Sequence, residues 1–448
     1  MDAAQLTGPT GLLLTGNLLA FRKDPLAYLM KTAHDYGEIA RLRFGLKQNV
    51  YLINSPDDIH EILVKKQDHF HKTTTLKIAK VALGAGLLTS EGEAHMRQRR
   101  LMAPAFARKH IGTYADTMVN YASQEIAAWQ DGEERDINRA MMEITLSVIT
   151  ETMFGTQISQ GFRQVAEAIE MGMRYITERA RAIVYLPEEI PTPKSKKFHE
   201  AITGLNKVIY EIIEERRQHP ELNERGDLLA TLLRARDEDD GSGMTDEQVR
   251  DQVFTIFMAG HETTANTLSW VFYLLAKHPE IVEKLEREVD DVLQGRLPTL
   301  DDYDKLTYVQ HVISETLRLY PAAWKISREV VSTVEIGSHQ FVPGEILLMS
   351  QYVMHRNPRF YDDPADFRPE RFAGDMLKRI PKFAYFPFGG GARICIGNHF
   401  ALLEAALVLA TIVQKFRLSL PEDRQEVKPE PLITLRPQGG LPMVVSAR

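Results

Sequence analysis

The sequence predicts a mainly α protein with small β-sheets, and three observations predict it. Apolar residues recur at helical spacing through most of the 448 residues, most plainly from Thr245 to Lys277. Strand-like alternation is confined to short, scattered runs such as 38–44, 50–53 and 346–349. No fixed-period repeat and no linker-like stretch interrupts the chain, so a single domain over 1–448 is expected, with no fused reductase.

Composition narrows the class. A hydrophobic fraction of 44% suits a globular protein with a large core. A net charge of −7 lacks the basic footprint of a nucleic-acid binder. The lone cysteine, Cys395, excludes an intrachain disulfide and suits a reducing compartment. Residues 11–21 are apolar but only about half the length of a membrane-spanning helix. Asp2 rather than a basic cluster precedes them, which makes a poor signal peptide. A cytoplasmic protein without a transmembrane anchor is expected, and peripheral membrane contact through this segment stays open.

In chain order, 25–36 reads as a helix ending at Gly37, and 38–44 with 50–53 as a strand pair. Ser55-Pro56 opens the next helix, with Ser55 as N-cap and Pro56 at the first helical position. Residues 73–90 are small, apolar and broken by Gly84 and Gly86, so they read as a partly ordered loop. From Gly92 to Gly155 the pattern is helical, with breaks near Pro104 and at Asp131-Gly132. Residues 160–182 and 195–218 read as two more helices, separated by a proline-rich connector at 186–193. Asp237 to Gly243 (DEDDGSG) reads as an exposed loop.

Thr245-Asp246-Glu247-Gln248 fits a capping box and opens the run to Lys277. Some 33 residues of helix span roughly 50 Å, so this helix should cross the core. Its middle, Phe257-Met258-Ala259-Gly260-His261-Glu262-Thr263-Thr264-Ala265, suits a regular helix poorly. Gly260 and two β-branched threonines weaken it, and the Thr263 hydroxyl can compete for the Ala259 carbonyl. Helices at 278–293 and 307–320 follow, then strand-like pieces at 326–331, 334–336 and 346–349. Residues 355–393, dense in Pro, Arg, Asp and Phe, read as a long ordered loop, a kind usually functional. Runs 432–435 and 443–445 read as a terminal hairpin.

Chemistry concentrates at Phe386-Pro387-Phe388-Gly389-Gly390-Gly391-Ala392-Arg393-Ile394-Cys395-Ile396-Gly397. Three glycines make this a loop, and the apolar run after it makes a helix, so Cys395 stands near a helix N-terminus. The unpaired N–H groups and helix dipole there favour thiolate, the nucleophilic and metal-ligating form. His399 is near, but no orienting third residue marks a nucleophilic site. One cysteine without a local histidine cluster does not make a zinc site. Nor does the loop carry a G-x-G-x-x-G or Gly-Lys-Ser/Thr phosphate signature. What remains is a single axial thiolate on a cofactor-borne metal, haem above all.

The stretch Phe388-Gly-Gly-Gly391-Ala-Arg393-Ile-Cys395-Ile-Gly397 resembles the haem-binding signature of the cytochromes P-450, the haem-thiolate monooxygenases. Ala259-Gly260-His261-Glu262-Thr263-Thr264 is similar to their oxygen-activation motif. Glu315-Thr316-Leu317-Arg318 and Pro369-Glu370-Arg371-Phe372 resemble the Glu-x-x-Arg motif and the segment that pairs with it. The four stand in family order over 259–397, and the helical pattern extends the likeness over essentially the whole chain.

The resemblance implies the triangular-prism cytochrome P-450 fold, with a long central helix over haem b whose iron takes an axial thiolate from Cys395. It implies that the loop glycines, Gly389 and Gly397 among them, let backbone amides approach the sulfur, and that Phe388 packs near it. Ala259 and Gly260 belong to the haem-facing part of the long helix. Glu262 and Thr263 are the implied acid–alcohol pair that delivers protons during oxygen activation. Adjacent helix positions do not share a face, so the helix has to open there. His261 is expected to face away. His95, Arg99, Arg328 and Arg393 are the implied partners of the haem propionates, while Arg97 and Arg100 read as a solvated basic face, open to an acidic electron donor. Glu315, Arg318 and Arg371 are implied to be structural.

The activity so implied is insertion of one oxygen atom from O2 into a medium-sized apolar substrate such as a fatty acid, terpenoid or steroid-like compound. Two electrons would come from separate proteins, a ferredoxin or flavodoxin with its reductase, to a monomeric enzyme. An H2O2-driven peroxygenase is the alternative, and a haem-thiolate sensor without turnover a further one.

Overall fold

The computed structural model describes residues 6–73, 76, 80–81, 83–155, 171–172, 175, 179, 192–374 and 376–448. All but four residues of the helix expected at 160–182, the connector at 186–191 and parts of the loop at 73–90 lie outside the described residues. The chain forms two compact units. One comprises Met1–Thr74, His311–Cys395 and Pro429–Arg436, the other Thr75–Gln310, Ile396–Lys428 and Pro437–Arg448.

The first unit is built on a five-stranded sheet ordered Ile39–Phe44, Gln48–Ile53, Ile346–Met349, Ile326–Val330, Phe70–His71. Only Gln48–Ile53 and Ile346–Met349 run parallel. Side chains alternate across the pleat, so the central strands bury both faces. Tyr51, Ile53, Leu347 and Met349 join a cluster with Ile59, Ile62, Phe383 and Phe386. Val50, Leu52 and Leu348 turn the other way, onto Leu26, Leu29 and Trp324. The helix Pro25–Tyr36 supplies Leu26 and Leu29, starts with Asp24 accepting from the Ala27 N–H (3.0 Å), and ends at Gly37. Ser55 caps Pro56–His60 by accepting from the Asp58 N–H.

The second unit is organised by the long helix, Asp246–Lys277, with the Thr245–Gln248 capping box formed. It packs against helices Ile137–Phe154, Pro193–Gln218 and Asn398–Val413. The helix is continuous through its middle, contrary to the weakness its sequence suggests. Tertiary packing overrides propensity here: a Cβ on Gly260 would stand 3.0 Å from Ile149 Cδ1, so the glycine lets the Ile137–Phe154 helix cross closely. No helix among the described residues is long and apolar enough to cross a membrane.

Two local readings need correction. The runs at 432–435 and 443–445 do not form a hairpin with each other. Pro429–Pro431 pairs with Leu435–Pro437, whereas Pro442–Ala447 is the middle strand of a sheet with Glu134–Asp136 and Phe416–Ser419. Pairing partners so distant in sequence leave no local signal. The acidic loop at 237–243 is also not simply solvated, because Asp237 is buried against Arg97 (3.2 Å) and Arg100 (2.8 Å). Asp239 and Ser242 complete the arrangement, so the expected solvated basic face is largely neutralised within the chain.

Candidate active site

The loop before Cys395 is shaped by backbone constraints that only glycine meets. Gly389 and Gly391 hold positive φ (74° and 69°), and a Cβ on Gly391 would lie 1.8 Å from the Leu63 carbonyl oxygen. A Cβ on Gly390 would strike the Phe383 ring. A tight turn folds the chain back, with the Gly389 N–H donating to the Phe386 carbonyl (2.9 Å) and the Cys395 N–H to the Phe388 carbonyl (3.0 Å). The thiol is thereby exposed two residues before Gly397, the N-cap of Asn398–Val413. Gly397 itself takes φ −92°, open to any residue. Phe388 and Arg393 share this loop, half-buried, and Arg328 lies on the strand whose Ile326 side chain meets Gly389.

Two buried groups hold the loop from behind. The Phe386 N–H donates to Nε2 of His355 (3.0 Å), so the neutral ring carries its proton on Nδ1, which has no well-formed acceptor. Burial first, then the Arg318 and Arg356 charges, pushes the His355 pKa down to about 3, and the ring stays neutral. Arg318, fully buried, makes a fork on Glu315 (2.7 and 2.8 Å) and donates to the carbonyls of His355, Pro364 and Asp366. Arg371 reaches Glu315 at 3.2 Å. The Glu-x-x-Arg helix, Thr307–Leu319, thus fastens the segment that leads into the cysteine loop, through bonds made entirely inside one unit. A charge this deep persists only because every partner is present.

In the second unit the long helix is buried from Val249 to Met258 and again from Thr264 to Leu275. Between them Ala259 is exposed and Gly260, His261, Glu262 and Thr263 are half-buried, so a short open stretch interrupts the helix's buried course. The Thr263 hydroxyl donates back to the Ala259 carbonyl (2.8 Å), as its spacing suggests. The Thr145 hydroxyl meets the His261 carbonyl at 3.0 Å, and the His261 ring stays over its own helix near Phe257. His95 is buried and Arg99 half-buried on helix Gly92–Met102. Gln98 of that helix donates to the Ala85 carbonyl, while the Ala85 and Leu87 N–H groups donate to Asp251 and Gln252 of the long helix. Residues 84–90 therefore bridge the two helices, an ordering that local composition does not reveal.

A haem asks a protein for one axial donor, cations for two carboxylates and an uncluttered surface. Among the described residues no three His, Cys, Asp or Glu side chains gather as a metal cluster, so the donor set is the single exposed thiol. The first unit gathers Cys395, Phe388, Gly389 and Arg393 in one loop, beside the strand that carries Arg328, and this set fits an axial donor with cations near it. The second unit holds His95 and Arg99 on one helix and Ala259, Gly260, Glu262 and Thr263 on another. Sequence reasoning missed His355, Asp251 and Glu404. For Glu404 a signal existed: it is the one charged residue in the apolar helix Asn398–Val413.

The sequence model of the family described as Cytochrome P450 matches residues 6–443. The chain is 36% identical to a cyclooctat-9-en-7-ol 5-monooxygenase of Streptomyces melanosporofaciens, over 92% of its own length and 89% of the relative's. It is 34% identical to cyclooctatin synthase of the same organism, over 98% and 95%. To pentalenene oxygenase of Streptomyces avermitilis it is 31% identical, over 99% and 97%.

Proposed function

The chain belongs to the cytochrome P450 family, and we propose that the substrate of this monooxygenase is a terpenoid. Its cofactor is haem held by a cysteine thiolate, and the chain has one cysteine. The enzyme needs O2, an apolar substrate and a redox partner. The observation that carries the substrate reading is that two similar enzymes are named for cyclooctat-9-en-7-ol and pentalenene, at near-complete mutual coverage.

Bound haem supplies the activation of O2 and the transfer of one oxygen atom to carbon. In this reading Cys395 Sγ would hold the iron, and the positive-φ glycines keep side chains off the loop's approach. Phe388 packs beside the sulfur. His95, Arg99, Arg328 and Arg393 would neutralise the propionates, a role favoured by their partial or full burial. Ala259, with only a methyl group, leaves the open stretch of the long helix uncluttered. The Glu262 carboxyl would hand a proton taken from solvent to the Thr263 oxygen as the Thr263 hydrogen, held at rest by the Ala259 carbonyl, is released toward the bound haem, so each group ends with the proton count it began with. Because the helix is continuous, Glu262 reaches Thr263 by side-chain rotation or through water rather than by a break in the backbone. We assign the protein to the cytoplasm as a monomeric single haem domain, served by a ferredoxin or flavodoxin with its reductase.

Spectral titration tests the substrate reading. Pentalenene and cyclooctat-9-en-7-ol should shift the haem spin state at micromolar concentration, and turnover should yield products one oxygen atom heavier. No shift with either, alongside a shift with palmitate, would refute it.

A further inference from the structure

Glu404 is a buried acid that the chemistry above leaves unused. It lies in the second turn of helix Asn398–Val413, the helix that follows Cys395 in the chain, and is 0% exposed. Neither carboxyl oxygen has a hydrogen-bond partner of good geometry. An ionised carboxylate in such a place is costly, and burial pushes the acid up to about 8. The polar group that faces it is the Thr264 hydroxyl of the long helix, itself buried and without a well-formed partner. No charged side chain among the described residues bears on the carboxyl from the long helix, from the helices Arg108–Ile111, Ala115–Ile126 and Pro279–Leu293, or from the strand Phe416–Ser419, all of which pack against this helix.

Thr264 stands apart from its neighbours. The hydroxyls of Thr263, Thr267 and Ser269 each donate to the carbonyl four residues back, at 2.8, 2.9 and 2.8 Å. Thr264 does not. A helix hydroxyl that leaves its local acceptor and faces a buried acid is directed at that acid. Successive helix residues diverge by about 100°. Thr264 therefore faces the neighbouring helix while Thr263 lies on the half-buried stretch with Ala259.

We propose that Glu404 and Thr264 form a buried hydrogen-bonded pair, direct or through one water, that fixes the rotational setting of the long helix at Thr263. Glu404 is then a positioning residue for the proton relay, and this part rests on the Glu262–Thr263 reading given above. The neutral acid has one O–H to donate, and the threonine oxygen has lone pairs to accept it. Glutamine can donate in its place; leucine cannot.

The test uses Glu404→Gln, Glu404→Leu, Thr264→Val, the double variant Glu404→Leu/Thr264→Val, and Thr263→Ala. Melting temperature reads the pair without turnover. The folded state keeps the Glu404 proton between the ordinary value of 4.5 and about 8, whereas the unfolded state loses it, so stability falls as pH rises through that window. The wild type should lose about 1.5 °C per pH unit there relative to Glu404→Gln, and the double-variant cycle should be non-additive by about 1–2 °C. Peroxide released per NADPH, with a plant-type ferredoxin and reductase and no substrate, reads the positioning. It should change at least about twofold, in the Thr263→Ala direction, for Glu404→Leu and Thr264→Val, with Glu404→Gln like the wild type. Additive melting with unchanged peroxide in Glu404→Leu would overturn the pair. Unchanged peroxide in Thr263→Ala would overturn the relay reading and Glu404's part in it, while non-additive melting would still establish the pair.

Discussion

Acid should destabilise this protein through His355. The ring is buried, accepts the Phe386 N–H, and is held neutral with its pKa pushed down to about 3 from an ordinary 6.5. Between those values the unfolded chain takes up a proton that the folded chain refuses. Stability conferred by the neutral ring is therefore complete above pH 6.5 and is lost as pH falls toward 3. At pH 4.5 the loss spans two pH units, about 2.7 kcal/mol at about 1.36 kcal/mol per unit. Unfolding a chain of this length carries an entropy of about 0.9 kcal/mol per degree, so the melting temperature should fall by about 3 °C from this group alone. The perturbation is His355→Gln, which keeps an acceptor for the Phe386 amide but takes up no proton. Melting by circular dichroism at pH 7, 6, 5 and 4.5 should show the variant starting lower at pH 7 and closing on the wild type by about 3 °C at pH 4.5. Parallel curves would refute the reasoning, because the ring would then be titrating freely in the folded protein.

Other outcomes follow from the same geometry. Cys395→Ser should abolish the red-shifted ferrous–CO band of a thiolate-ligated haem; a band unchanged by the substitution would remove Cys395 as the ligand. Arg318→Leu leaves Glu315 buried with Arg371 as its remaining cation, and should cost about 3–5 kcal/mol, read as a melting temperature lower by about 3–5 °C. Gly391→Ala drives a methyl group into the Leu63 carbonyl and forces a positive φ on a residue with a side chain, so haem occupancy of the purified protein should fall severalfold, whereas Gly397→Ala should load normally.

The elements with strong local signals were legible in the sequence. The capping box at Thr245, the Pro25–Tyr36 helix closed at Gly37 and the strand pair at 39–53 form where the pattern places them, because periodicity, caps and turn glycines act over a few residues. The cysteine loop was legible for the same reason: its glycines and its helix are contiguous. Burial and long-range pairing were not legible. Asp237 reads as solvent-facing until Arg97 and Arg100 close on it. Residues 443–445 read as half of a hairpin until strands 134–136 and 416–419 flank them. His355 and Glu404 look like ordinary titratable residues, and only packing makes one a neutral base and the other a neutral acid. The sequence by itself determined the fold class and the place of the one cysteine, after its glycine loop and before a helix. The tertiary structure decided which charges survive burial, since that depends on the low dielectric and the partners that only the assembled chain brings together.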